Sequence, residues 1–209
     1  MRCCVLKQQQ IRGDLMAKKA LSRELIISTA FGMVDEDGLD KFSVRSLAAN
    51  LGCQASSLYN HIKNEHDILL EVAKLAAKAY VDYVEEYVKG VPLEEVTLKS
   101  ADAFRMFLKE HRHLYYLMID EDVIYDPEFA QSREIFTAPI YMILKIYGIK
   151  DKALMDHLYV AMRVITHGFA TLDAIGVFDH LSVDPVHSYH LLSQSLIDKM
   201  IELGKKEKL

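Results

Sequence analysis

The stretch FSVRSLAANLGCQASSLYNHIKN, residues Phe42–Asn64, contains two short apolar-periodic segments on either side of a glycine. Helices this short are marginal in isolation, so neighbouring elements must hold them. Leu47 and Leu51 in the first segment, and Leu58 and Ile62 in the second, have the spacing to share a core with the flanking helices. The pattern predicts a compact three-helix unit whose second short helix has a free outer face.

The predicted outer face of the second short helix carries hydrogen-bonding side chains and no carboxylate. Its members are Gln54, Ser56, Ser57, Tyr59, Asn60 and His61. The stretch from Lys41 to Asn64 contains three cationic residues and no acidic one, whereas the whole chain has a net charge of −5. Donors and acceptors without negative charge are what base edges and phosphates in a DNA major groove require. We interpret the unit as a helix-turn-helix; the alternative is an uncharged surface helix.

The composition favours an all-α protein. About half of the 209 residues are hydrophobic, and only 9 glycines and 4 prolines interrupt them. No apolar segment reaches the roughly 18 residues that span a bilayer, and the N-terminus lacks the apolar core of a signal peptide. The three cysteines match neither a disulfide framework nor a zinc site. We therefore expect a cytoplasmic protein with no membrane partner.

Apolar periodicity and capping residues predict a succession of helices. Ser22, Ser43 and Asn64 are the expected N-caps of the first, second and fourth helices, and Gly38 is expected to end the first. The segment DEDVIYDP is expected to separate two later helices. The predicted ranges are 22–35, 43–52, 55–61, 64–89, 93–110, 111–119, 127–147, 150–176 and 184–204.

Residues 1–15 precede a second methionine, Met16. The residues Ile11–Asp14 are compatible with a purine-rich coding run that resembles a bacterial ribosome-binding site just upstream of that methionine. Our hypothesis is that 1–15 are translated leader and that the native chain starts at Met16. The alternative is a genuine disordered tail.

From Ser22 to about Leu75 the sequence resembles the N-terminal domain of the TetR family of bacterial transcriptional regulators. The resemblance rests on FSVRSLAANLG at 42–52 and SSLYNHIKNEHDIL at 56–69. It implies that the helix beginning near Ala55 is the recognition helix. Glu65 departs from the family pattern, because related proteins often carry Lys or Ser there, close to a phosphate. The DNA-binding residues implied by the resemblance are Ser43, Val44, Arg45, Gln54, Ala55, Ser56, Ser57, Tyr59, Asn60, His61 and Lys63.

Two later stretches resemble the ligand-binding domains of one TetR subgroup. They are AFRMFLKEHRHLYYLMI at 103–119 and VITHGFATLDAIGVF at 164–178. The resemblance implies an unknown apolar or amphipathic small-molecule effector bound between helices. The alternative for these aromatic and methionine residues is ordinary hydrophobic core. The effector-binding residues implied are Phe104, Phe107, Tyr115, Met118, Tyr141 and Met162.

The last two predicted helices are expected to form a dimer interface. Small residues in the 150–176 helix allow another helix to approach closely, and the terminal helix carries a row of leucines. By the resemblance, these two helices of each protomer build a four-helix interface; the alternative is packing within one chain. The interface residues predicted are Gly168, Leu172, Leu192, Leu196 and Met200.

Neither a metal site nor a catalytic site is expected. His187 and His190 lie three residues apart on one helical face and could share a metal with Asp184, but this spacing alone is weak. No HExxH, GxSxG or P-loop pattern is present. We predict no enzymatic activity and no cofactor.

These observations predict a helix-turn-helix DNA-binding domain at 16–67, joined through a long fourth helix to a helical effector-binding and dimerisation domain at 68–209. The expected function is that of a homodimeric repressor that binds a palindromic double-stranded DNA operator. An effector would shift the spacing of the recognition helices and release the operator. The alternative is an all-helical small-molecule or protein-binding module without DNA affinity.

Overall fold

The computed structural model describes residues 21–207, so the predicted leader at 1–15 and the Met16 start lie outside the described residues. The described chain is helical and contains no β-strand, which confirms the all-α prediction. Among these residues, no helix is both long and apolar enough to cross a bilayer. The helices are α1 Arg23–Asp37, α2 Val44–Asn50, α3 Ala55–Leu58, α4 Glu65–Tyr87, α5 Leu93–Glu110, α6 Arg112–Met118, α7 Glu121–Ile124, α8 Ala130–Tyr147, α9 Lys152–Ala174 and α10 Pro185–Lys206.

The chain forms two compact units. The first contains the chain up to Asp82 together with His111–Arg133, and the second contains Tyr83–Glu110 and everything from Glu134 onward. This division differs from the boundary expected between residues 67 and 68. Most of α4 belongs to the first unit, and a later segment of the chain returns to it. The functional assignment of 16–67 and 68–209 stays a prediction.

The predicted N-caps are confirmed at three helix starts. The Ser22 hydroxyl accepts a hydrogen bond from the backbone N–H of Leu25 at 3.2 Å. Ser43 and Ser46 form a capping box at the start of α2, in which each side chain accepts the backbone N–H of the other residue. The Asn64 side-chain oxygen accepts the N–H of Asp67 at 2.8 Å. Side chains therefore satisfy backbone donors that have no partner within the helix.

The first unit is held together by apolar side chains from α1 to α4. The two short helices α2 and α3 are stabilised because their inner residues share this core with the longer α1 and α4. Gly38 ends α1 with a positive φ of 81°, as predicted, and a Cβ there would lie 2.9 Å from His113 Nδ1. The fully buried residues of this core include Ile26, Ala30, Val34, Leu47, Leu58, Ile68 and Val72.

The segment DEDVIYDP is not a simple separator. It contains α7, and a 3₁₀ turn, Pro127–Phe129, begins at its last residue. The Asp120 side chain accepts the N–H of Asp122, and the Asp126 side chain accepts the N–H of Glu128. Each short turn therefore has its own cap, which periodicity over a window of 11 to 18 residues does not detect.

The second unit has a core on α8, α9 and α10. It is centred on Leu144, Ile149, Met155, Leu158, Ile197 and Met200. Near the end of α10, a Cβ on Gly204 would lie 2.0 Å from the carbonyl oxygen of Tyr147, so the close approach of this helix to the end of α8 requires glycine.

Candidate nucleic-acid interface

The helix α3 divides cleanly into a buried side and an exposed side. Leu58 and Ile62 are buried, with 0% and 5% of their surface exposed. Tyr59 is 53% exposed despite its large ring, and Asn60 is exposed beside it. Of the remaining predicted contact residues here, Gln54 and Ser56 are exposed, and Ala55, Ser57 and His61 are partly buried.

The start of α2 supplies part of the same predicted set. Arg45 is exposed, and Ser43 is partly buried while it caps the helix. Val44 is 8% exposed, and its N–H donates a hydrogen bond to Glu65 Oε2 at 3.2 Å. Its side chain and its amide are therefore both occupied inside the protein. Contact of Val44 with DNA stays a prediction.

Glu65 has a structural role that the sequence comparison did not reveal. Its carboxylate, at the start of α4, accepts the amide of the first residue of α2 and so fixes that helix against α4. A carboxylate is favourable there because the first amides of a helix carry partial positive charge. The pairing joins residues 21 positions apart, which no local pattern encodes.

A buried carboxylate, Asp67, fixes the turn that follows α3. Arg23 forms two hydrogen bonds to it, Nη1 to Oδ2 and Nη2 to Oδ1, both at 2.8 Å. Arg23 Nη1 also donates to the carbonyl of His61 at 3.1 Å, and Asp67 Oδ2 accepts the N–H of Lys63 at 2.9 Å. The guanidinium of Arg23 lowers the pKa of Asp67 to about 2. The backbone around two predicted DNA contacts is thus held by one ion pair.

The two acidic residues that follow α3 in the chain are both engaged within the protein. Glu65 accepts an amide, and Asp67 is paired with a guanidinium. Arg45, which precedes α3 in the chain, and Lys63, which follows it, are both exposed. The face combines these two cations with several hydrogen-bonding side chains, which is the chemistry that phosphates and base edges require.

The later segment His111–Arg133 packs into the first unit through three polar contacts to α1 and α4. His111 Nδ1 lies 2.9 Å from an oxygen of Asp35 in α1. On α4, His66 Nε2 lies 2.8 Å from Asp126 Oδ2, and Lys74 lies 3.3 Å from a carboxylate oxygen of Glu128. The sequence predicts that this segment belongs to the effector-binding domain at 68–209, and the structure places it in the first unit with α1–α3.

The six predicted effector-binding residues do not share one unit. Phe104 and Phe107 are buried on α5 of the second unit. In the same unit, Tyr141 and Met162 are partly buried and pack against the core formed by α8, α9 and α10. Tyr115 and Met118, the remaining two, are buried on α6 of the first unit. The sequence pattern did not separate these residues, because α5 and α6 are consecutive in the chain.

Three of the five predicted dimer residues, Gly168, Leu172 and Leu192, are exposed. On α9, Val160, Val164 and Leu172 are 55%, 66% and 41% exposed, and Gly168 is exposed between them. On α10, Leu192 is 55% exposed. The further predicted residues differ in burial: Leu196 is partly buried against the core, whereas Met200 is fully buried. The part that these residues play in a dimer interface stays a prediction.

Comparison with known families identifies the C-terminal half. Residues 98–196 match the model of the tetracyclin repressor-like C-terminal domain. An uncharacterised HTH-type transcriptional regulator of Mycobacterium tuberculosis is 27% identical over 172 residues, which are 79% of this chain and 76% of that protein. The class D tetracycline repressor of Escherichia coli is 35% identical over 92 residues, 44% of this chain and 42% of the repressor.

Solved structures share the fold. Apo ActR from Streptomyces coelicolor superposes with a TM-score of 0.64 at 21% identity, covering 92% of this chain and all of ActR. The complex of ActR with actinorhodin gives a TM-score of 0.62, covering 89% of this chain and 99% of ActR. At this identity the likeness concerns the fold alone.

Proposed function

Because residues 98–196 match the tetracyclin repressor-like C-terminal domain and an HTH-type transcriptional regulator is similar over 79% of the chain, we propose that this chain is a cytoplasmic homodimeric repressor of the TetR family without enzymatic activity. It binds a palindromic operator through α3 and releases it when a small-molecule effector binds the second unit. The observation that carries the proposal is the exposed face of α3, where Tyr59 is 53% exposed among polar side chains, and where Glu65 and Asp67, the acidic residues that follow α3, are hydrogen-bonded within the protein.

In the proposed complex α3 lies in the major groove. Its first turn meets base edges, while Tyr59, His61 and Lys63 approach phosphates. Arg45 reaches the same groove from the start of α2. The complete set of residues in the proposed interface is Ser43, Arg45, Gln54, Ala55, Ser56, Ser57, Tyr59, Asn60, His61 and Lys63.

The exposed stripe on α9 and α10 supports the homodimer. Val160, Val164, Gly168 and Leu172 recur every fourth residue, so they lie on one side of α9. Leu191 and Leu192 of α10 are 59% and 55% exposed. Contiguous apolar surface of this kind is typical of an interface between proteins. Two recognition helices bind a palindrome far more tightly than one.

We place the effector in the second unit. The ActR structure with bound actinorhodin is the relative that supports a small-molecule effector. Phe104, Phe107, Tyr141 and Met162 are the proposed lining. An effector changes operator affinity only to the extent that it binds the released conformation better than the DNA-bound one.

The proposal is tested by DNase footprinting on DNA flanking the gene of this protein, at low and high salt. Tyr59→Ala and Arg45→Ala should each remove protection of a palindrome. The control is Tyr125→Ala, because Tyr125 is 75% exposed and lies outside α3. Binding should fall steeply with salt, because phosphate contacts release counterions. If the protein is a folded dimer but protects no DNA, the result would favour a binding module without DNA affinity.

A further inference from the structure

A group of buried polar side chains on α5, α9 and α10 has unused hydrogen-bonding capacity. Tyr189 is 2% exposed, and no partner among the described residues has full hydrogen-bond geometry to its hydroxyl, although the side chains of Thr166 and Ser193 lie near enough to act to lower its pKa. The Nε of Arg105 is also buried and also lacks a partner in that part of the chain. Buried donors without acceptors destabilise a fold and are uncommon in native proteins. Their presence together indicates a position for an occupant that accepts hydrogen bonds.

The two unpartnered groups belong to one neighbourhood. The positive charge of Arg105 acts to lower the pKa of Tyr189, and the charge of Asp102 acts to raise it. Burial is the largest effect and raises the pKa of Tyr189 to about 12. The hydroxyl therefore keeps its proton at neutral pH and is a donor, as is the Nε–H of Arg105.

The charges around these donors disfavour an anion. Arg105 Nη1 already donates to Asp173 Oδ2 at 3.1 Å, and both side chains are nearly buried. Asp102 Oδ1 lies 2.7 Å from His190 Nε2. A bound carboxylate would thus meet two carboxylates, while the Arg105 guanidinium is already engaged by one of them. An uncharged acceptor such as a carbonyl oxygen has no such penalty.

The neighbouring rings favour a planar ligand. Phe169 stacks on Tyr189, with ring centroids 4.5 Å apart and an interplanar angle of 17°. Phe104 and His167 have ring centroids 4.2 Å apart. Burial lowers the pKa of His167 to about 3, so its ring is neutral. Flat, uncharged rings of this kind pack well against an aromatic ligand.

We propose that Arg105 and Tyr189 bind the carbonyl oxygen of an uncharged, planar aromatic effector. The inference rests on the proposed function, since it names the chemical class of the molecule that releases the operator. Phe104 belongs both to this site and to the effector lining that the sequence implies.

Isothermal titration calorimetry with three bicyclic probes on the full chain tests the site. Coumarin has the ring system and the carbonyl oxygen, naphthalene has no acceptor, and coumarin-3-carboxylate adds a negative charge. Coumarin should bind, and the other two should bind at least about tenfold more weakly, the loss expected for one missing hydrogen bond or one unfavourable charge. Tyr189→Phe, which removes one hydroxyl, should weaken the binding of coumarin by about the same factor. Tyr125→Phe, at a residue that is 75% exposed, is the matched control.

The proposal is overturned if naphthalene binds as tightly as coumarin or if coumarin-3-carboxylate binds more tightly. It is also overturned if Tyr189→Phe leaves the affinity for coumarin unchanged. If coumarin does not bind at all, the proposal fails and water is left as the occupant. Footprinting of the same samples separates this failure from failure of the regulator function. A footprint without coumarin binding would refute the effector class alone. Coumarin binding without a footprint would refute DNA regulation and leave the binding site standing.

Discussion

Asp67 illustrates how one carboxylate positions the proposed DNA-binding surface. Asp67→Asn removes the carboxylate that accepts two 2.8 Å hydrogen bonds from the Arg23 guanidinium, which is 38% exposed and keeps a 3.8 Å contact with Glu71. We expect the free energy of unfolding to fall by about 1–2 kcal/mol, because Arg23 is partly screened by solvent. Operator affinity should also fall, since His61 and Lys63 lose their support. Urea unfolding and footprinting check this, with Asp82→Asn, in an exposed pair with Lys78, as the control.

The stability due to Asp67 should depend on pH in one direction. Its pKa is lowered from 3.8 to about 2 in the folded chain, so its contribution is complete above pH 4 and is lost as the pH falls through 2. Urea unfolding between pH 5 and 2 should show a smaller decline for Asp67→Asn than for the wild type. Equal declines would contradict the role of the Arg23 pair.

Glu65 should limit DNA affinity while it supports α2. Glu65→Gln keeps an oxygen that accepts the Val44 N–H and removes the negative charge beside the proposed DNA surface. We expect operator binding to tighten about two- to fivefold at low salt, because an exposed charge contributes about 0.5–1 kcal/mol and is screened by ions. Fluorescence anisotropy over a salt series measures this, and Glu86→Gln is the control. Weaker binding at low salt would refute the expectation.

At the scale of elements, the contact of α9 with α5 should be sensitive to acid. Burial of His167 against Phe104 lowers its pKa from 6.5 to about 3. Between those pH values the unfolded chain binds a proton that the folded chain does not, so stability falls as the pH falls, by up to about 1.4 kcal/mol per pH unit. In urea unfolding from pH 7 to 4, His167→Gln should show a shallower decline than the wild type. His157→Gln, exposed on the same helix, should not.

At the scale of the whole molecule, operator binding should depend on the apolar stripe. Val164 is 66% exposed on α9, so Val164→Glu should leave each chain folded and place a charge in the proposed interface. We expect a monomer in analytical ultracentrifugation and operator affinity reduced by about 10²-fold or more. Met142→Glu, at a residue 60% exposed on α8, is the control. A dimer that persists in the Val164 variant would place the interface elsewhere.

Local sequence determined the helices, their caps and the uncharged face of α3. Helical periodicity and capping involve residues within one or two turns, which is why Ser22, Ser43 and Asn64 could be recognised directly. The resemblance of residues 42–69 to one family added the expected DNA contacts, which remain to be tested. These features depend on neighbours in the chain, so the sequence alone suffices for them.

Tertiary structure decided which of the predicted residues are available and what holds them. The pairs Arg23 with Asp67 and Val44 with Glu65 join positions 44 and 21 residues apart. Met200 has the same apolar character as the exposed leucines before it, yet it is fully buried in the core. Burial and pairing depend on how distant segments meet, and apolar character alone does not distinguish a core residue from an interface residue.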